Sequence, residues 1–174
     1  MKIKIEDITD NGLSVDVSEE GNKIEAIAGG KLDFSIPSPV DAHLEFTKTD
    51  GNVYVAGDLK AKIRLNCSRC LKEFEEPLTT SFTDFFVRGS EKEKEKELRQ
   101  EDLEVNYLTG PELDTDEIIL GQLSLEAPMK PLCSPDCKGL CPKCGADLNL
   151  SECKCPKDEK TDSRFARLRD FKVK

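Results

Sequence analysis

The stretch Val40-Asp41-Ala42-His43-Leu44-Glu45-Phe46-Thr47-Lys48-Thr49-Asp50-Gly51-Asn52-Val53-Tyr54-Val55-Ala56-Gly57-Asp58-Leu59-Lys60-Ala61-Lys62-Ile63-Arg64-Leu65-Asn66-Cys67-Ser68-Arg69-Cys70 decides the fold. Val40, Ala42, Leu44 and Phe46 share even parity; past Asp50-Gly51, Val53, Val55, Leu59, Ala61, Ile63, Leu65 and Cys67 all fall on odd positions. Successive side chains of a strand point to opposite faces, so a period of two describes a half-buried strand. Asp-Gly between two such runs predicts a hairpin, because the two-residue turn that matches strand twist needs positive φ at both positions. Gly57 stands on the apolar parity with no side chain to pack, which predicts a bulge or bend. After Cys67-Ser68-Arg69-Cys70 the pattern resumes with Phe74, Leu78, Phe82 and Phe86 on even positions. Three antiparallel strands are expected, with the first cysteine pair at the turn that joins the last two.

Working outward, Ile3, Ile5 and Ile8 suggest a short strand and Leu13-Ser14-Val15-Asp16-Val17 a second, while Pro37-Ser38-Pro39 punctuates the entry to the hairpin. Glu91-Lys92-Glu93-Lys94-Glu95-Lys96-Glu97 alternates sign without an apolar face, and the stretch from about 89 to 104 reads as a solvated acidic linker. Asp114-Thr115-Asp116-Glu117 is a helix-start signal, a capping residue with first-turn acids, ahead of Ile118, Ile119, Leu120, Leu123 and Leu125. It predicts a helix over about 115–126, lying across the sheet and ended by Pro128 and Pro131. The expected class is α+β: residues 1–129 form a mostly antiparallel β body with a helix packed on it, and 130–174 form a small cysteine-rich metal module with a basic tail. Phe165, Leu168 and Phe171 recur at three-residue spacing and predict a short C-terminal helix.

The chain has 174 residues, of which 37% are hydrophobic and 35% charged, and no apolar run approaches the ~18 residues of a spanning helix. Met1-Lys2-Ile3-Lys4-Ile5-Glu6-Asp7 has no continuous apolar segment of the secretory kind. A cytoplasmic protein with no membrane partner is expected. Charge is unevenly spread: residues 1–129 carry 15 basic and 28 acidic side chains, net −13, and residues 130–174 carry 11 and 7, net +4. An acidic body argues against nonspecific coating of nucleic acid, while a local basic module can still touch phosphate. The one histidine, His43, has strand parity opposite to Ala42, Leu44 and Phe46, so it reads as solvent-facing without partners, and triads or histidine relays are not expected.

Eight cysteines in a chain of this size and compartment point to metal or redox chemistry and not to a disulfide framework. In Cys141-Pro142-Lys143-Cys144-Gly145 two intervening residues let a tight turn aim both sulfurs at one ion, and the glycine can take positive φ. Cys153 and Cys155, one residue apart in extended chain, project to the same side and complete a four-thiolate set. Cys67, Cys70, Cys133 and Cys137 either make a second tetrahedral set or leave Cys67 and Cys70 as reduced structural thiols. A dithiol redox reading of Cys67-Ser68-Arg69-Cys70 or Cys141-Pro142-Lys143-Cys144 lacks its context, since such a motif should open a helix after a strand. Zinc suits a closed all-cysteine site, one or two ions per chain, although ligand identity alone admits iron.

These residues carry a likeness. Cys67-Ser68-Arg69-Cys70-Leu71, Ala127-Pro128-Met129-Lys130-Pro131-Leu132-Cys133, Cys137-Lys138-Gly139-Leu140-Cys141-Pro142-Lys143-Cys144-Gly145-Ala146-Asp147-Leu148-Asn149 and Asp162-Ser163-Arg164-Phe165-Ala166-Arg167-Leu168 resemble the bacterial YceD family over roughly residues 40–174. Ser163 stands where proline is expected in the terminal motif. The resemblance implies a curled or barrel-like sheet, and a non-enzymatic accessory factor for 23S ribosomal RNA processing or accumulation and large-subunit biogenesis, with no small-molecule substrate. Its partner would be ribosomal RNA or an assembly intermediate. Arg164, Arg167 and Arg169 in the tail, with Lys60, Lys62 and Arg64 on a strand face, are the candidate phosphate contacts. The alternative is a protein-interaction module whose acidic body docks on a basic ribosomal protein or assembly factor; a thiol redox enzyme is a third reading.

Overall fold

A computed structural model describes residues 1–88, 105–108 and 110–155. The elements are β1 (Lys2–Lys4), β2 (Leu13–Glu19), α1 (Gly21–Ile27), β3 (Val40–Thr49), β4 (Asn52–Asn66), β5 (Glu73–Arg88), β6 (Val105–Leu108), β7 (Glu112–Asp114) and α2 (Thr115–Glu126). The acidic linker expected at about 89–104, the C-terminal helix, and Arg164, Arg167 and Arg169 lie outside the described residues.

The period-two reading places its residues as expected. Val40, Leu44, Val53, Val55, Leu59 and Ile63 are fully buried, while Asp41, Glu45, Tyr54, Asp58, Lys60, Lys62 and Arg64 are exposed. Asp50 and Gly51 both have positive φ, 51° and 81°, as a two-residue hairpin between Thr49 and Asn52 requires. Strands β3, β4 and β5 pair antiparallel in unbroken register, from Asp41 with Lys60 to Thr49 with Asn52 and from Val53 with Phe86 to Asn66 with Glu73.

Three expectations are corrected. The five-stranded sheet, in order β2-β3-β4-β5-β6, is mixed and open: β6 runs parallel to β5, and β2 and β6 stay at opposite edges, so no barrel closes among the described residues. Helices cover the apolar face that closure would otherwise hide, with Ile24 of α1 and Ile118, Ile119 and Leu123 of α2 joining Phe46, Leu59 and Ile63 in one core. Gly57 makes no bulge, since it pairs in register with Leu44 and Phe82. A Cβ there would lie 2.7 Å from Leu44 Cδ2 and 2.8 Å from Phe82 Cζ, so the glycine leaves the space those side chains fill. Gly57→Ala should therefore destabilise by about 1–3 kcal/mol through overpacking, read as a lower denaturant midpoint at unchanged slope.

His43 points outward as expected, but it has partners. Its Nδ1 lies 2.7 Å from Asp16 Oδ1 on β2, and its Nε2 lies 3.7 Å from Glu45 Oε1. The hydrogen bond to Asp16 raises the imidazole pKa above its ordinary value. Its contribution to stability is present below about pH 6.5 and is lost as pH rises through the folded value. Because the chain has one histidine, a single imidazole titration followed by NMR should fall back toward about 6.5 in Asp16→Asn.

Helix α2 begins as its start signal predicts: the Asp114 side chain accepts from the Asp116 backbone N–H at 3.1 Å. Gln122 donates to Asp84 of β5 at 3.0 Å, and Thr80 of β5 to Glu126 at 3.0 Å, which fixes the helix against the sheet. Helix α1 carries no start signal in the sequence: it has seven residues, no side-chain cap, and packs against α2. Among the described residues no helix is long and apolar enough to cross a membrane.

Candidate metal centres

Strands β4 and β5 extend past the rest of the sheet, and the turn between them presents Cys67 and Cys70 at its tip. Two backbone bonds shape that turn: Cys67 N–H donates to Lys72 O and Leu71 N–H to Cys67 O, both at 2.9 Å. Residues 141–146 repeat the construction, with Cys141 N–H to Ala146 O at 2.8 Å and Gly145 N–H to Cys141 O at 2.9 Å. Both turns need a left-handed residue just after the second cysteine, supplied by Leu71 at φ 61° and Gly145 at φ 72°. The chain thus contains two knuckles of one design, of which only the second carries the glycine that sequence reading looks for.

Each knuckle meets a second pair of thiols. Cys67, Cys70, Cys133 and Cys137 form one group and Cys141, Cys144, Cys153 and Cys155 another, with the four sulfurs of each group all within 4.8 Å of one another. Cys67 and Cys137 lie 3.7 Å apart, Cys70 and Cys133 3.6 Å, and Cys141 and Cys153 3.3 Å. A disulfide needs about 2.05 Å, so all eight cysteines are free. Four sulfurs at ~2.3 Å from a central ion would sit about 3.8 Å apart along each tetrahedral edge, so these sets fit a tetrahedral four-sulfur site.

The electrostatics also favour a cation. Backbone N–H groups, first that of Cys133 and then those of Cys70 and Arg69, pull the Cys67 thiol down to about 6. Those of Cys144 and Lys143, with the Cys153 thiol, pull Cys141 down to about 6. In the same sets the Cys70 sulfur beside Cys133 and the Cys144 sulfur beside Cys155, each with burial, push those thiols up to about 12. Oriented dipoles favour the thiolate at Cys67 and Cys141, and a neighbouring cysteine together with burial disfavours it at Cys133 and Cys155. A divalent ion held by such a set would replace the thiol protons and let all four sulfurs ionise.

The first cluster ties the segment after α2 to the sheet. Cys67, Cys70 and Cys137 are buried together, with Phe74, Leu132 and Leu140 packed around them. Arg69 donates from Nη1 to Cys137 O at 2.8 Å, and Leu140 N–H donates to Arg69 O at 3.1 Å. Gly139 is required where the two segments meet, since a Cβ on it would stand 3.0 Å from Arg69 O. Asn149, which lies between Cys144 and Cys153 in sequence, reaches the first cluster: its Nδ2 lies 3.4 Å from Cys137 Sγ and its Oδ1 accepts from Lys138 N–H at 2.7 Å. Sequence reading missed Asn149, whose contacts need the chain to fold back over 11 to 12 residues onto Lys138 and Cys137, and Arg69 and Gly139, because their work depends on the meeting of segments about 70 residues apart, as Cys67 and Cys137 are. For the same reason the cysteine-rich segment is not independent of the body.

Lys60, Lys62 and Arg64 lie on the exposed face of β4 as expected, but Arg64 Nη2 is 2.9 Å from Glu75 Oε1 and Lys62 Nζ 3.8 Å from Glu75 Oε2. Lys60 borders a groove with Asp16, Asp41 and Asp58. Carboxylates of neighbouring strands thus share this face.

The family model of the large ribosomal RNA subunit accumulation protein YceD matches residues 55–172, a span that takes in both cysteine clusters. The chain belongs to the YceD family. An uncharacterized protein of Mycobacterium tuberculosis strain H37Rv is 30% identical over 129 residues, covering 74% of this chain and 60% of the relative. A chloroplastic large ribosomal RNA subunit accumulation protein YCED homolog 1 of Arabidopsis thaliana is 26% identical over 173 residues, 85% of this chain and 54% of the relative. The chain spans some three fifths or less of the length of these curated relatives. No solved structure matches it.

Proposed function

We propose that the protein is a zinc-bearing, non-enzymatic accessory factor for the accumulation or processing of large-subunit ribosomal RNA, acting in the cytoplasm by binding RNA. Family membership over residues 55–172 carries this reading, and the name of the chloroplastic relative supports it. Cys67, Cys70, Cys133 and Cys137 would hold one zinc ion and Cys141, Cys144, Cys153 and Cys155 the other. Elemental analysis of protein purified under reducing, chelator-free conditions should find zinc; iron, or no metal, overturns that part.

The basic segment from Lys130 onward, with Arg164, Arg167 and Arg169, would meet phosphates, and the first cluster would join residues 133–137 of it to the β4–β5 turn. Lys60, Lys62 and Arg64 would make the lesser contribution, since Glu75 already faces two of them. A pulldown repeated after nuclease treatment tests the reading: recovery of large-subunit RNA that nuclease abolishes supports it. One observation favours the second reading, a basic ribosomal protein or assembly factor as partner. A groove between β6 and α2 is lined by Glu112, Glu117 and Asp84 beside the apolar Leu113, Ile118 and Leu125. Nuclease-resistant recovery of a basic protein would favour it.

A further inference from the structure

The two knuckles differ at the left-handed position after the second cysteine, and the difference runs against conformational preference. Gly145 takes its left-handed φ without cost, whereas Leu71 does the same work at φ 61° with a side chain that is 67% exposed. A left-handed non-glycine residue persists only where the surroundings hold it, and such residues cluster at functional sites. An exposed leucine gains no burial here that would offset the strain.

Its surroundings suggest what it is for. Ser68 N–H and Ser68 Oγ both donate to Pro131 O, at 2.8 and 3.0 Å, which brings the end of the α2 connection against the first knuckle. The residues just before Pro131 are Met129, fully exposed, and Lys130, also exposed. Leu71 is likewise followed by an exposed lysine, Lys72. Two exposed pairs, each an apolar side chain followed by a lysine, thus flank in sequence the residues that make the Ser68–Pro131 contact at the first cysteine cluster.

We propose that Leu71 and Met129, with Lys72 and Lys130, form an RNA contact at the first knuckle, in which unpaired bases pack on the two apolar side chains and phosphates meet the two lysines. The proposal rests on the RNA reading above. Unpaired RNA offers flat apolar base faces and anionic groups at adjacent positions, while in an A-form duplex the bases are stacked away. The charge complements RNA and disfavours a basic protein at this surface. The cluster beneath supplies the rigidity: Leu71 follows Cys70 directly, and Met129 precedes Cys133 by four residues.

The test uses the full zinc-loaded chain, purified 23S ribosomal RNA, and a perfectly paired RNA duplex as competitor. Leu71→Gly should keep the parental zinc content and an unchanged or higher melting temperature, yet bind the RNA at least tenfold more weakly. Met129→Ser should weaken binding in the same direction. Lys72→Gln with Lys130→Gln should lower the magnitude of the log–log salt slope by about 1.4, roughly 0.7 for each single-strand phosphate that a lysine no longer neutralises. The duplex should compete poorly. Equal affinity of Leu71→Gly and parent overturns this proposal and leaves the RNA reading standing; loss of zinc in Leu71→Gly overturns it by making Leu71 structural. If the parent itself fails to bind the RNA, the RNA reading falls and this surface with it. Leu71-dependent capture of an acidic protein that survives nuclease overturns RNA as the occupant.

Discussion

Cys70→Ser is expected to leave the chain with one equivalent of metal fewer and to release residues 130–155 from the sheet. The first cluster joins Cys70 to Cys133 across 63 residues and Cys67 to Cys137 across 70. Apart from it, that junction is held by the partly buried Phe74, Leu132 and Leu140 and by a few hydrogen bonds around Ser68, Arg69 and Leu140. Such bonds are worth about 1 kcal/mol each, whereas a structural zinc ion contributes on the order of 10 kcal/mol to the segment it organises. The main core, from Phe46 to Ile119, contains none of these cysteines. Limited proteolysis should therefore cut the variant between residues 130 and 155 while the sheet resists, and strand amides should keep their exchange protection. Cys153→Ser should act differently, because its cluster draws all four ligands from residues 141–155. It should lose metal while leaving Cys133 and Cys137 attached to the sheet. Identical proteolysis patterns in the two variants would refute the distinction between a joining cluster and a local one.

Gly21→Ala should lower stability by about 3 kcal/mol, or roughly 6–12 °C in melting temperature for a chain of this size. Gly21 is the first residue of α1, and an added Cβ would come within 2.1 Å of the Ile36 carbonyl oxygen and 2.7 Å of Ile36 Cγ2. At Gly57 the obstacles are side-chain ends that can turn aside; here the nearest one is backbone. The helix must move off the loop, and the Ile36 backbone N–H, which donates to the Glu25 carboxylate, loses its partner. Ile24, fully buried, would be drawn from the core as well. Calorimetry of this variant beside Gly57→Ala should rank Gly21→Ala the more damaging; the reverse order would show that α1 accommodates the methyl by a small shift.

Residues near one another in sequence determined much of this protein by themselves. The parity of Val40 to Cys67, the Asp50-Gly51 turn and the Asp114 cap rest on backbone geometry within a few residues, and each took the expected form. The spacings 141–144 and 153–155 likewise marked thiols that local turns aim together. What needed the tertiary structure was the choice among distant partners. Two cysteine pairs about 65 residues apart carry no mark of their distance, so it took the protruding β4–β5 turn and the return of the chain after α2 to make Cys67, Cys70, Cys133 and Cys137 one cluster. Likewise, no single strand records whether its sheet closes, and it was the burial of the apolar face under α1 and α2 that left the sheet open. The sequence at Gly57 showed only a missing side chain. Whether that means a bend or a filled space depends on Leu44 and Phe82, residues of two other strands that meet there only once the sheet has formed.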